Sequence, residues 1–205
     1  MSTTLEVYPK LSKIPSFREL LDLSSVRLGE YLSDQGISAH PVINVDLCGA
    51  QSRPFDLDSP AMWSDGEYAW FYLKPASGGT DAYFESNEES GGYEYMDGEI
   101  ETHIPAAEKK TLIYECLSYG YHWRFRRSAG QPAIINVAYG IIAGSLAELT
   151  EGFIYSIDSA WDYDRFPATA QEFFSCYFRP DKAISAGHAE WAARCIEHLA
   201  EEMKT

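Results

Sequence analysis

Positive charge is what this sequence has least of: 16 Lys and Arg stand against 31 Asp and Glu in 205 residues, a formal net charge of −15. Phosphate backbones recruit clustered Lys and Arg, so this balance argues against direct binding to nucleic acid or to an anionic membrane surface. A basic protein partner fits it better. Cysteine is scarce as well. Cys48, Cys116, Cys176 and Cys195 lie far apart, with no C-x-x-C pair and no zinc-ribbon spacing, and read as buried thiols. No run approaches the roughly 18 apolar residues of a membrane span. The opening "MSTTLEVYPK" has neither the basic nor the apolar region of a secretory signal. The expectation is a cytoplasmic chain.

Catalytic signatures are missing too. There is no G-x-S-x-G, no P-loop, no H-E-x-x-H and no G-x-G-x-x-G after a strand. Of the five histidines only His188 and His198 share an expected element. Ten residues of helix leave them about 80° apart around the axis and nearly three turns apart along it, so they do not share a ligand. No catalytic residue, metal or cofactor is expected.

What is present is acid in one place. Between Asp56 and Glu101 twelve carboxylates face Lys74 alone, a local net charge of −11. The densest part is "DAYFESNEESGGYEYMDGEIE", residues 81 to 101, with Asp81, Glu85, Glu88, Glu89, Glu94, Asp97, Glu99 and Glu101 and no Lys or Arg. A charge run is often only a solvated face. This one interleaves Tyr83, Phe84, Tyr93 and Tyr95, aromatics of the kind enriched at interfaces. Carboxylates spaced along an aromatic surface imitate a phosphate backbone with stackable bases, which suits a basic nucleic-acid-binding cleft. The expected partner-binding residues are the eight acids with Tyr93 and Tyr95.

The length suits one domain spanning residues 1–205. "SFRE" at Ser16–Glu19 matches a capping box, followed by apolar residues at helical spacing and a stop at Gly36. "VINVDL" (42–47), "EYAWFYL" (67–73) and "GFIYSI" (152–157) read as strands with a loop between the first two. The acidic stretch is expected to be a hairpin, with "DAYFE" and "GYEYMDGEIETHI" as strands around "SNEESGG". Residues 105–119 read as a helix with Pro105 at its first position and Ile113, Cys116 and Leu117 inward. "AIINVAYGII" (133–142) has the uncharged character of a central strand. "TAQE" at Thr169–Glu172 is a second capping box, and a last helix runs from about Ala186 to Met203. The sum is an α+β domain with a mixed or antiparallel sheet and helices packed on it.

Two further clusters carry chemistry. Asp158, Asp162 and Asp164 in "IDSAWDYDRF" could hold an oxygen-liganded metal, though without the EF-hand pattern. A polar turn fits as well, with the aspartates capping amides and Trp161, Tyr163 and Phe166 anchoring it. "YHWRFRRSAG" (121–130) is the one basic cluster. Its arginines fit an internal partner for the acidic stretch, or a charged edge strand, better than a nucleic-acid site in so acidic a chain.

In residues 152–180, "GFIYSIDSAWDYDRFPATAQEFFSCYFRP", the aromatic frame of Phe153, Trp161, Phe166, Pro167, Phe173, Tyr177 and Phe178 resembles bacterial polymorphic-toxin immunity proteins. The resemblance is to those paired with restriction-endonuclease-like nuclease toxins delivered by type VI secretion. It implies an antitoxin that binds and neutralises a cognate basic nuclease toxin and catalyses nothing. The frame itself reads as folding information and assigns no toxin-contacting residue. Two other classes stay open: a small metal-dependent hydrolase using the Asp158–Asp164 turn, and a non-catalytic adaptor for another basic protein.

Overall fold

Ser16 opens the first helix as its capping box predicts. Its Oγ accepts from the Glu19 amide at 3.1 Å, and the Glu19 carboxylate accepts from the Ser16 amide at 2.8 Å. The helix, α1 (Phe17–Asp34), ends in a Schellman motif, with the Ile37 amide donating to Leu32 O and Gly36 at φ +73°. A computed structural model describes residues 2–49, 56–74 and 76–202. Parts of the loop between the first two predicted strands, and Met203, lie outside the described residues.

Among the described residues seven strands form one sheet: β1 (Thr3–Tyr8), β2 (Ile43–Cys48), β3 (Tyr68–Leu73), β4 (Thr80–Ser86), β5 (Tyr121–Arg127), β6 (Phe153–Tyr155) and β7 (Ala168–Thr169). Their order is β2-β3-β4-β5-β1-β6-β7 and each pairing is antiparallel. The helices after α1 are α2 (Gly92–Thr102), α3 (Ile104–Glu108), α4 (Lys110–Leu117), α5 (Ala133–Leu149), α6 (Ala170–Cys176) and α7 (Ala186–Glu202). This is the expected α+β class, with an antiparallel sheet.

Alternation divides the sheet into two unlike faces. Leu5, Val7, Val45, Ala69, Phe71, Ala82, Trp123 and Phe125 are buried on the face that receives α1 and α5. The other face carries Glu6 and Tyr8 of β1, Asp81, Tyr83 and Glu85 of β4, and His122, Arg124 and Arg126 of β5. At its β1–β6 end α2 covers this polar face, with the Tyr95 and Tyr155 rings 5.8 Å apart. Toward β3 it is half-open, and Tyr68, Trp70, Tyr72 and Tyr83 keep partial exposure.

Three expectations are corrected. The acidic stretch is no hairpin: β4 is followed by a turn and then by helix α2. Tyr93 and Tyr95 imitate a period of two, but Gly92 and Met96 are buried one helical turn apart, and that spacing governs. "AIINVAYGII" is part of α5, not a strand, and residues 133–147 are buried on every side. A buried aliphatic side chain contributes about 1.5–3 kcal/mol, whereas each glycine inside a helix costs about 1. The burial of Ile134, Ile135, Ile141, Ile142 and Leu146 therefore outweighs Gly140 and Gly144. The predicted helix 105–119 is split at Lys109, whose Nζ donates to Pro167 O at 2.7 Å and to Glu172 at 2.6 Å. Ile113, Cys116 and Leu117 do face inward.

The remaining elements follow their signals. Thr169 Oγ1 and Glu172 complete the second capping box. Strand β5, with its three arginines, is interior to the sheet between β4 and β1, so the edge-strand reading gives way to the internal-partner one. The aromatic frame is core: Phe153, Trp161, Phe166, Phe173, Tyr177 and Phe178 are each 3% exposed or less.

Candidate functional site

The eight acids of residues 81–101 are sorted by the fold into two sets. Asp81 is buried and accepts from Arg126 Nε at 2.8 Å and from the Tyr83 hydroxyl at 2.7 Å. Glu85 accepts from Arg124 Nε at 3.0 Å and lies 3.5 Å from His122 Nε2. Burial pushes the Glu85 carboxyl up, but the bonds from His122 and Arg124 overcome this and hold it below the ordinary carboxylate range. Glu99 turns inward and accepts from the hydroxyls of Tyr155 and Tyr163. These three are occupied by internal partners.

The other five, Glu88, Glu89, Glu94, Asp97 and Glu101, are exposed. Glu94, Asp97 and Glu101 stand at i, i+3 and i+7 on α2, one stripe of the helix, and Glu88 and Glu89 lie in the turn before it. Among the described residues no Lys, Arg or His is within ion-pair distance of any of the five. Beside the stripe, Tyr93 is 38% exposed and its hydroxyl is fixed to Leu117 O at 2.8 Å. Tyr114 donates to Asp97 at 2.7 Å. Tyr95 is half-buried and leans toward Tyr155.

Where α2 meets the open part of the polar face there is a cleft of about 350 Å³, lined by Glu6, Tyr8, Glu85, Tyr95, His122 and Arg124 among others. Glu6 is 4% exposed and accepts from the Tyr8 hydroxyl at 2.9 Å. Tyr8 stacks on His122 at 4.8 Å between ring centres. Asn87 donates its amide to Leu117 O, which turns its Oδ1 toward His122 Nδ1 at 2.9 Å and makes that nitrogen the donor. Glu6, Tyr8 and His122 escaped the sequence reading. The signal was the alternation of "LEVY", which puts Glu6 and Tyr8 on one face of a strand beside the basic cluster.

The three aspartates of the 158–164 turn do not converge. Asp158 accepts from the Thr4 amide at 2.8 Å and hydroxyl at 3.1 Å. Asp162 accepts from the amides of Ile184 and Ser185 and from His188, at 2.7, 3.0 and 2.9 Å. The Asp164 side chain is 70% exposed. Among the described residues no group of three His, Cys, Asp or Glu is placed to hold a metal ion. The turn caps amides, with Trp161 and Phe166 buried beneath it. Nor do the cysteines pair: Cys116, Cys176 and Cys195 are buried and Cys48 is partly exposed. Among the described residues no helix is long and apolar enough to cross a membrane. Compared with known proteins, the chain matches no family model, no curated protein and no solved structure.

Proposed function

We propose that this chain is a non-catalytic binding protein of the cytoplasm that captures a basic protein through the exposed face of α2 and the turn before it. The observation that carries this reading is the set of five exposed carboxylates with no cation at ion-pair distance among the described residues, set around a tyrosine anchored by its hydroxyl. Neighbouring like charges lower the stability of the free fold, and an approaching cationic surface relieves that cost. Tyr93 offers a rigid aromatic anchor whose rotamer is already chosen.

The finer proposal takes its partner from the aromatic frame of residues 153–178 and its likeness to immunity proteins. The partner is then a nuclease toxin, whose own basic substrate-binding surface is what the acids engage. Blocking that surface neutralises the toxin without chemistry by the inhibitor. Association would be fast at low salt and slowed by added salt, because long-range attraction between exposed charges is screened.

The test is co-purification from the native bacterium, followed by binding measurements on the recovered protein. A basic nuclease that loses activity when bound, and loses affinity when Glu88, Glu89, Glu94 and Asp97 are all changed to Lys, supports the reading. Unchanged affinity in that variant means that this surface is not the interface.

A further inference from the structure

The cleft beside α2 holds a carboxylate without a cation. Glu6 and Arg124 are directly opposite in the β1–β5 register, where a cross-strand ion pair would be expected. Arg124 instead turns away to Glu85 on β4. Among the described residues no Lys, Arg or His comes within ion-pair distance of Glu6, which is 4% exposed. A buried carboxylate with no counter-ion is costly in its ionised form.

We infer that this cleft receives one cationic side chain, a guanidinium or primary ammonium group, of the basic partner, with Glu6 as its counter-ion. Three observations fit that group. The space of about 350 Å³ admits one long side chain and lies at the lower end of small-ligand sites. Tyr95 from α2, half-buried on the lining, supplies the aromatic surface on which an arginine packs, while Tyr8, stacked between His122 and Phe153, forms the closed floor beside Glu6. Ser90 and Gly92 on the rim continue directly into Glu88, Glu89 and Glu94, so a cation drawn to the exposed acids arrives at the mouth. Burial pushes the Glu6 carboxyl above the ordinary range despite His122, Tyr8 and Arg124 nearby, the direction expected where a counter-ion is lacking.

The inference rests on the proposed function for the source of the cation, but its test needs only the free chain. N-acetyl-arginine amide and its neutral counterpart N-acetyl-citrulline amide are titrated at low salt while backbone amide resonances are followed. The arginine probe is expected to shift the amides of Glu6, Tyr8 and His122 saturably, and the citrulline probe to leave them unmoved. The isosteric Glu6→Gln variant keeps an acceptor for Tyr8 and should bind the arginine probe at least about tenfold more weakly, the scale of one charge-assisted contact. Equal shifts from both probes, or unweakened binding by Glu6→Gln, would overturn the inference. An interface that ignores the four-Lys variant is a separate failure, of the proposed function alone.

Discussion

Tyr177 lies across Gly140 so closely that a β-carbon on the glycine would come within 2.1 Å of the ring. The Tyr177 hydroxyl donates to Asn136 O on the same helix at 2.8 Å, so the ring is bolted down and cannot move aside. At an exposed helix position Gly→Ala gains up to about 1 kcal/mol from propensity and unfolded-chain entropy. Here overpacking wins, and Gly140→Ala should lose about 1–3 kcal/mol in urea unfolding. Gly98→Ala on α2, where the added carbon meets nothing within 4 Å, should instead gain about 0.5–1 kcal/mol. A stabilised Gly140→Ala would show that α5 and α6 do not pack this closely.

Asp162 ties the 158–164 turn to the start of α7. It is 3% exposed and accepts from two backbone amides and His188. Ile184 and Ser185 are exposed, so in Asp162→Ala water reaches their amides, and the change should cost about 0.5–2 kcal/mol, the scale of a lost helix cap. Burial pushes this carboxyl up, but the Ile184 and Ser185 amides and His188 outweigh it and hold the group below its ordinary 3.8. Its contribution is therefore present above that value and lost as pH falls through the depressed folded value. Unfolding curves of wild type and variant should converge only in strong acid.

Glu6 has the opposite sign. Its folded carboxyl is raised above 4.5 by burial, so the folded state holds its proton longer than the unfolded one. Stability from this group falls as pH rises from about 4.5 through the folded value. Glu6→Gln removes the cost of ionisation, and its denaturation midpoint should exceed wild type at pH 8 and match it at pH 4. A lower midpoint at pH 8 would mean that the ionised carboxylate is already satisfied within the fold.

The two sets of acids should separate in stability measurements. Glu94→Gln, Asp97→Asn and Glu101→Gln change exposed side chains and should move unfolding free energy by no more than about 0.5 kcal/mol. Asp81→Asn weakens a buried contact to Arg126 and Tyr83, and Glu99→Ala strands the hydroxyls of Tyr155 and Tyr163. Each should cost about 1–3 kcal/mol by thermal or urea unfolding. Equal effects in both sets would mean that the inward acids are not held as described.

Local signals were legible wherever a few neighbouring residues carry the whole energetic reason. Both capping boxes form because Ser16 with Glu19, and Thr169 with Glu172, satisfy amides three residues away whatever the rest of the chain does. The strands at 43–48, 68–73 and 153–155 show their β-branched and aromatic composition in the same way. Net charge, its concentration before Glu101 and the aromatic frame of the core were also readable in sequence.

Tertiary structure decided what composition leaves degenerate. An uncharged apolar run is equally at home in a central strand or a buried helix, and 133–149 became a helix because Tyr177 and Phe174 fit against its glycines from α6 and the residue after it. Acids look alike in a string of letters. Asp81 and Glu85 are neutralised internally because β4 pairs with β5, bringing Arg126 and Arg124 from some forty residues away. Glu94, Asp97 and Glu101 stay exposed on α2, with no cation at ion-pair distance among the described residues. The cleft at Glu6 arises in the same way, since β1 and β4 reach its walls only through β5 between them. Charge is a property of residues, but which charges are left unpaired is a property of strand pairing across long stretches of chain.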